Sequence, residues 1–450
     1  MVDSVRIRFE KLAKSPPCQI CLAPGRVNLI GEHIDYNGFG VLPCAVNRVT
    51  VVAIGVSDQR ESHDLWISLA SSVAESFDIA IGTVGDVPRG NHDWSNYVLA
   101  AFIGLRESGV VLPRGIMLVI GGDLPQACGL SSSSSLVVAC AMAMASVRLS
   151  RQHVSREMLA EVCMKAEWHV GTAGGGMDQA AVLLSEKGFA SHIEFDPLRV
   201  RKVKLPKGIH FIVANSLCPS AKAETRDTNF NKRVFECKLG TYLLRRALFP
   251  LSADSEIDIL EDSYACIYSD LGKPGYGEIL HQCELILPQG AVSKETLMAL
   301  VGQDDLDHLL KGRWGRRVWE INGEFFIFPR ARHVFSEADR VDRFISSCET
   351  GDFETMAQCM NDSGDSLARD FDCSVEELSK LVQCMRNSGC VAARLVGAGF
   401  GGCAVGMILP DQDVSEVISS VQESFYEGSK NQDDCFSFEP CDGATLQYRH

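Results

Sequence analysis

Three short stretches of this chain carry residues whose types and spacing could do chemistry. The first, Gly129-Leu130-Ser131-Ser132-Ser133-Ser134-Ser135, runs straight into the apolar segment Leu136 to Ala145. A run of that length suits a buried helix and is too short to span a membrane. The first N–H groups of a helix have no partner within it, and the helix dipole adds partial positive charge there. A Gly/Ser loop at such a start can hold phosphate. Hydroxyls in its first turn can also ligate Mg2+, which prefers oxygen and usually sits between protein and phosphates. Serine is equally a favoured N-cap, so taken alone the loop is either a phosphate cradle or a plain cap.

The second stretch packs Arg26, Asn28, Glu32, His33, Asp35 and Tyr36 between Gly25 and Gly38. Carboxylates and an imidazole this close suit the hydroxyls of a polyol or sugar, each giving or taking a directed hydrogen bond. A solvated loop would also be polar. The alternation of Arg26 and Asn28 with Val27 and Leu29 instead favours a half-buried strand leading into a loop.

The third, Gly171-Thr172-Ala173-Gly174-Gly175-Gly176-Met177-Asp178-Gln179, precedes apolar Ala180 to Leu184. Three glycines predict a close approach of backbone to a ligand, with the Asp178 carboxylate at a helix start. Asp as a simple N-cap would need no ligand. A fourth run, Leu395 to Gly402, matches G-x-G-x-x-G literally. The dinucleotide fingerprint needs a helix directly after its third glycine. Here Cys403 to Leu409 reads as a strand, so a hairpin approaching the serine loop fits better. A Walker-A phosphate loop is absent.

Elements must hold these stretches. Thr50–Val56 and Ile116–Ile120 read as strands by their β-branched content. Between them, Trp94, Tyr97, Val98, Ala101, Phe102 and Leu105 recur at helical spacing. Ser155 to Val170 is a second amphipathic helix, with Glu167 beside its apolar stripe. A second half begins at Ile209–Ala214. Thr225 to Leu248 reads as a helix with Asn229, Phe230, Asn231 and Arg233 near its start. Residues 251–310 are acidic, Leu-rich and helical in pattern. Ser374-Val375-Glu376-Glu377 predicts a capping box, and Val414, Val417, Ile418, Val421 and Phe425 mark a last helix. Cys18-Gln19-Ile20-Cys21 is the only C-x-x-C and reads as strand packing.

At 450 residues, 46% hydrophobic and 22% charged, the chain has the composition of a soluble protein of two or three domains. A net charge of −15 argues against nucleic-acid or acidic-membrane binding, which needs a basic field. Met1 to Glu10 mixes charges of both signs and lacks an apolar core, unlike a signal peptide. Eighteen cysteines in an unexported chain should be reduced thiols.

Taken in order, Ala23–Gly38, Pro125–Ser135 and Leu395–Gly402 resemble the motifs of the GHMP small-molecule kinases. Gly25 to Tyr36 is similar to the galactokinase signature G-R-x-N-x-I-G-E-H-x-D-Y. Gly171 to Gln179 resembles the eukaryotic branch of that family, particularly N-acetylgalactosamine kinase. The resemblance implies an α+β, two-domain fold of mixed sheets with helices, an N-terminal domain over 1–200 and a C-terminal one over 201–450. The active site would lie in the cleft between them.

By position, the resemblance makes Asp178 the general base, or at least the group orienting the sugar's anomeric hydroxyl. Arg26 would lie beside it, keep it ionised and neutralise the moving phosphoryl group. Glu32, His33, Asp35, Gly175 and Phe230 would contact the sugar. Gly129, Leu130, Ser131, Ser132, Ser133 and Ser134 would wrap the ATP phosphates, with Trp94 near the adenine. Ser133 and Glu167 would hold Mg2+. The implied reaction is ATP-dependent phosphorylation of the C1 hydroxyl of galactose or N-acetylgalactosamine, by a cytoplasmic monomer that binds no nucleic acid or membrane. The alternative is a non-catalytic sensor of galactose and ATP. Two departures stand out: Ser135 replaces the Ala of many relatives, and Phe230 replaces a Tyr near the sugar. Phe230, with room at C2 from the glycine run and small Thr172 and Ala173, points toward the acetylated sugar.

Overall fold

The computed structural model describes residues 1–56, 65–71, 77–81, 94–126, 128–149, 153–219, 227–249, 262–311, 314–427, 431 and 434–447. Among these, the larger sheet has six strands in the order Thr445–Gln447, Gln19–Asn28, Pro43–Val56, Gly115–Gly122, Leu65–Ser71, Phe77–Ile81. Its pairs are antiparallel except Leu65–Ser71 with Gly115–Gly122, which is parallel.

Alternation along the strands sends side chains to opposite faces. Ile20, Val51, Ala53 and Val119 meet Val5 and Phe9 of the first helix, Val2–Ala13. Cys21, Ala23, Val52, Ile54, Leu118 and Ile120 enter the main core on the other face. There Ser132–Ser146 and Met177–Leu184 pack on the central strands, backed by Ser95–Glu107 and Arg156–Val170. The serine helix is buried almost all round, from Val137 to Ala145, which is why its sequence is apolar without a stripe.

A second, antiparallel sheet orders Ala392–Leu395, Cys403–Ile408, His210–Asn215 and Cys435–Phe438. Helices Phe353–Arg369, Glu376–Asn387 and Val414–Phe425 pack around it. The long helix Phe328–Thr350 lies against Phe353–Arg369 and Tyr276–Ile286. One contiguous core runs from Cys21 through Val405 and Phe438 to Ala444, so residues of both halves share it. The fold is therefore α+β, with mixed sheets and helices.

Local expectations hold where side chains act locally. The amphipathic helix expected from Ser155 runs Arg156–Val170, and the structure adds that Ser155 caps it by accepting from the Met158 N–H. Cys403–Ile408 is a strand paired with Ala392–Leu395, so the glycine run between them is a hairpin turn and no helix follows it. Two expectations change, and a third holds over the described residues. The helix expected from Thr225 starts at Phe230, and Thr225 itself lies outside the described residues. Of 251–310, residues 251–261 lie outside them too, and the rest holds four short helices and the strand Ala291–Ser293. The capping box at Ser374 does not form: the cap is Val375, and Ser374 Oγ bonds the Val375 carbonyl and Ser379 Oγ instead. Among the described residues no helix is long and apolar enough to cross a membrane.

Candidate active site

The strand Gln19–Asn28 brings its last residues beside the serine loop. Its register shifts between Pro24 and Gly25, and the Arg26 N–H then donates to the Leu130 carbonyl at 3.1 Å. Arg26 is 3% exposed. Its Nε donates to Asp178 Oδ1 at 2.8 Å, Nη2 stands 2.7 Å from the same oxygen, and Nη1 donates to the Gly129 carbonyl at 2.7 Å. One planar guanidinium thus joins the first strand, the helix Met177–Leu184 and the serine loop. A lysine's point charge could not make all three contacts at once.

The helix Ser132–Ser146 starts without a side-chain cap, and its N-cap, Ser131, lies in the left-handed region at φ 57°. Ser131 Oγ is buried with no hydrogen-bond partner in the structure. A buried hydroxyl without a partner costs free energy. Together with the unpaired N–H groups of the first turn, it fits a bound anion better than a plain cap. Ser132 and Ser133 are half-buried and Ser134 is buried. The hairpin turn closes over this loop: a Cβ on Gly129 would lie 2.6 Å from the Val396 carbonyl oxygen, and one on Gly397 2.6 Å from that of Gly129. Only glycine permits this approach, which accounts for the fourth motif.

Asp178 is not a cap. Gly176 holds the N-cap position of Met177–Leu184, and the Met177 N–H is taken in trans by Asp35 Oδ2 at 3.3 Å. Asp178 sits in the helix's first turn with its carboxylate toward Arg26. The preceding glycine loop is held by Asn231, whose Nδ2 donates to the Gly171 carbonyl and whose Oδ1 accepts from the Ala173 N–H.

Glu32 is buried, and both its oxygens are engaged. Oε1 accepts from the Gly397 N–H at 2.7 Å and lies 3.5 Å from Arg394 Nη2; Oε2 accepts from Asn28 Nδ2 at 3.1 Å. Burial raises its pKa, against the pull of Arg394, Arg26 and these donors. His33 stacks on Phe371 at 4.4 Å, with Nδ1 2.9 Å from the Tyr36 hydroxyl and Nε2 3.1 Å from the Ala398 carbonyl. Phe230 meets both His33 and Tyr36, at 5.6 and 5.7 Å between ring centroids.

These groups face a cavity of about 480 Å3, its mouth included, lined among others by Arg26, Glu32, His33, Asp35, Glu167, Asp178 and Phe230. Gly175 is set apart from its two glycine neighbours. Gly174 and Gly176 line the cavity, whereas a Cβ on Gly175 would lie 2.3 Å from the Tyr36 nitrogen. A side chain at Gly175 would meet the backbone of Asp35 and Tyr36. Gly174 has nothing within 4 Å of its Cβ position and is the residue that leaves room.

Gly129, Leu130 and Ser131 to Ser134 do not line this cavity but adjoin it. Gln179 makes the join: its Nε2 donates to Glu167 Oε1 at 2.6 Å and lies 3.4 Å from Ser134 Oγ. Trp94 is half-buried at the N-cap of Ser95–Glu107, outside the lining. The lining residues Met164, Gln179 and Ala398 carried no signal of their own, although Gln179 and Ala398 stand inside motifs singled out above.

Three family descriptions match the chain: a galactokinase galactose-binding signature over residues 7–56, the N-terminal domain of GHMP kinases over 96–186, and their C-terminal domain over 344–427. The chain is 32% identical to the galactokinase of Dictyostelium discoideum, with 94% of this chain and 89% of that one covered. It is 28% identical to the galactokinase of Saccharomyces cerevisiae over the same shares. Among solved structures, Lactococcus lactis galactokinase complexed with galactose superposes with a TM-score of 0.73 at 23% identity, covering 99% of each chain. The mevalonate kinase of L. major reaches a TM-score of 0.51 at 15% identity, over 95% of this chain and 99% of that one.

Proposed function

The chain belongs to the galactokinase family of GHMP kinases and is an enzyme of the sugar-kinase class; from that premise we propose that it transfers the γ-phosphoryl group of ATP to the C1 hydroxyl of galactose. The observation that carries this reading is the pairing of Arg26 with Asp178 at the edge of a cavity that Glu32, His33 and Asp35 also line. Phosphoryl transfer asks mostly for positioning and charge stabilisation, with a carboxylate on the attacking hydroxyl. In this reading Asp178 orients the C1 hydroxyl and receives its proton. Arg26 holds that carboxylate in place and bridges it to the serine loop, where the phosphates lie.

The orphaned Ser131 hydroxyl and the uncapped helix start support a nucleotide phosphate at residues 129–134. Ser133 and Glu167 would hold Mg2+, which when bound neutralises charge on the phosphates. Among the described residues no three His, Cys, Asp or Glu side chains converge as a metal-binding group, so the cation would draw most of its ligands from nucleotide and water. Trp94 would flank the adenine. We take the enzyme to act as a cytoplasmic monomer, with residues 1–200 and 201–450 as the two domains around the site.

A second reading, N-acetylgalactosamine as substrate, is favoured by the open side of Gly174 and by Phe230, which brings no hydroxyl to the sugar side. Gly175 does not add to that space, which is why galactose is put first. A non-catalytic sensor would have no need of the Arg26–Asp178 pair. A coupled assay with saturating Mg-ATP and a panel of hexoses tests all three. Galactose should be phosphorylated at C1 and glucose rejected by about 10⁴, because a misplaced hydroxyl strands buried polar groups. A kcat/KM for N-acetylgalactosamine above that for galactose would move the assignment to the acetylated sugar, and absence of turnover would return the sensor.

A further inference from the structure

The loop bearing Glu32, His33 and Asp35 is in a conformation it would not adopt unaided. Gly31 has φ 104° and His33 φ 64°, so Glu32 stands between two left-handed residues. Such backbone costs free energy and persists only where its surroundings hold it.

The helix Phe328–Thr350 supplies that hold from some 300 residues away. His333 and Glu337 lie one turn apart on one face of it, both fully buried. Glu337 Oε1 accepts from the Gly31 N–H at 2.9 Å and from Ser363 Oγ at 2.7 Å, while Oε2 accepts from Arg340 Nε at 2.7 Å. His333 Nε2 lies 3.0 Å from the Glu32 carbonyl oxygen, and Nδ1 2.9 Å from Ser366 Oγ. A carbonyl only accepts, so Nε2 carries a ring proton and donates to Glu32, while the Ser366 hydroxyl beside Nδ1 also donates to Asp370 Oδ2 at 3.0 Å. One helical turn therefore grips the N–H of Gly31 and the C=O of Glu32. A buried ion pair and imidazole cost desolvation that apolar residues of similar size would avoid. What they add here is a fixed geometry for two consecutive residues of the loop.

We propose that His333 and Glu337 are positioning residues for the sugar: they fix the Gly31–Glu32 backbone so that Glu32, His33 and Asp35 meet the sugar hydroxyls pre-organised. The inference rests on the reading that those three side chains bind sugar. The serine loop is held directly by Arg26 and by the hairpin turn, which meets Glu32 through the Gly397 N–H, so the effect falls first on the sugar and reaches the nucleotide only through that contact.

The test is a KM-against-kcat comparison in the full-length enzyme, with galactose and Mg-ATP each varied. His333→Leu should raise the galactose KM by about tenfold, the worth of one lost buried hydrogen bond. The Mg-ATP KM should stay within about twofold, a change of some 0.4 kcal/mol or less. His333→Gln, which keeps an amide donor for the Glu32 carbonyl, should recover much of the loss. Phe344→Leu, a core change in the same helix that touches none of these hydrogen bonds, should lower Tm and leave the galactose KM unmoved. If His333→Leu does not fold, Ser366→Ala removes the partner of Nδ1 and carries the same comparison. A galactose KM unmoved in the His333 or Ser366 variants, or moved equally by Phe344→Leu, overturns the inference. Turnover of galactose by the unsubstituted enzyme tests the sugar reading separately.

Discussion

Arg26 and Asp178, 152 residues apart in the chain, meet through a guanidinium Nε to carboxylate Oδ1 hydrogen bond of 2.8 Å. The same guanidinium holds the Gly129 carbonyl, so acid, cation and serine loop are tied into one unit.

Asp178→Asn keeps the shape of this unit but removes the carboxylate proposed as the base. Turnover should fall by about 10²–10⁴, with sugar and nucleotide binding by calorimetry nearly intact. Near-normal turnover in the folded variant would refute the assignment. Arg26→Lys should lose comparable activity, because an ammonium cannot reach Asp178 and the Gly129 carbonyl together.

Ser133→Ala and Glu167→Gln should raise the Mg2+ concentration needed for half-maximal activity and weaken Mg-dependent ATP binding in calorimetry. The galactose KM should change little. Both residues would offer oxygen at the proposed nucleotide end, and Glu167 is already oriented by Gln179. Unchanged Mg2+ titrations in both variants would remove these residues from the cation site.

Ser135→Ala separates packing from chemistry within the same loop. Its hydroxyl bonds the Ala23 carbonyl at 2.9 Å and Thr50 Oγ1 at 2.8 Å, on the core side. The variant should lose about 1–3 kcal/mol in denaturant unfolding. Its kcat/KM should stay near that of the parent. A large loss of activity at unchanged stability would mean that Ser135 faces the nucleotide.

Acid should unfold the protein through two buried groups on one helix. Burial lowers the pKa of His333 to about 4, so between its ordinary 6.5 and 4 the unfolded chain binds a proton that the folded one refuses. Burial would raise Glu337, but Arg340, His333, Arg394 and the Ser363 hydroxyl outweigh it and hold the group at about 2. Its stabilisation is complete above 4.5 and lost as pH falls toward 2. Both effects make stability rise with pH across these windows. Glu32, raised by burial, acts in the opposite sense above 4.5. Denaturant midpoints measured from pH 7 to 4 should fall, and His333→Gln should flatten the fall between 6.5 and 4. A profile identical to that of the parent would show that His333 does not contribute.

The sequence by itself settled what depends on neighbours along the chain. The helix from Ser155 to Val170, the strand after Gly402 and the burial of the run after the serines follow from residues within a turn or two. The chemistry of the candidate site was legible for the same reason: Arg26, Glu32, His33 and Asp35 fall in one short stretch, and Asp178 follows a run of glycines. Tertiary structure decided which of these groups meet. Asp35, not Asp178, takes the helix N–H at Met177; Gly175 yields to the backbone of Tyr36; and Ser374 gives up its expected cap. The grip of His333 and Glu337 on Gly31 and Glu32 had no local signature at all. Periodicity and turn chemistry report on spacing within a segment, whereas a hydrogen bond across 300 residues exists only once sheets and helices have packed and a buried donor must find its acceptor.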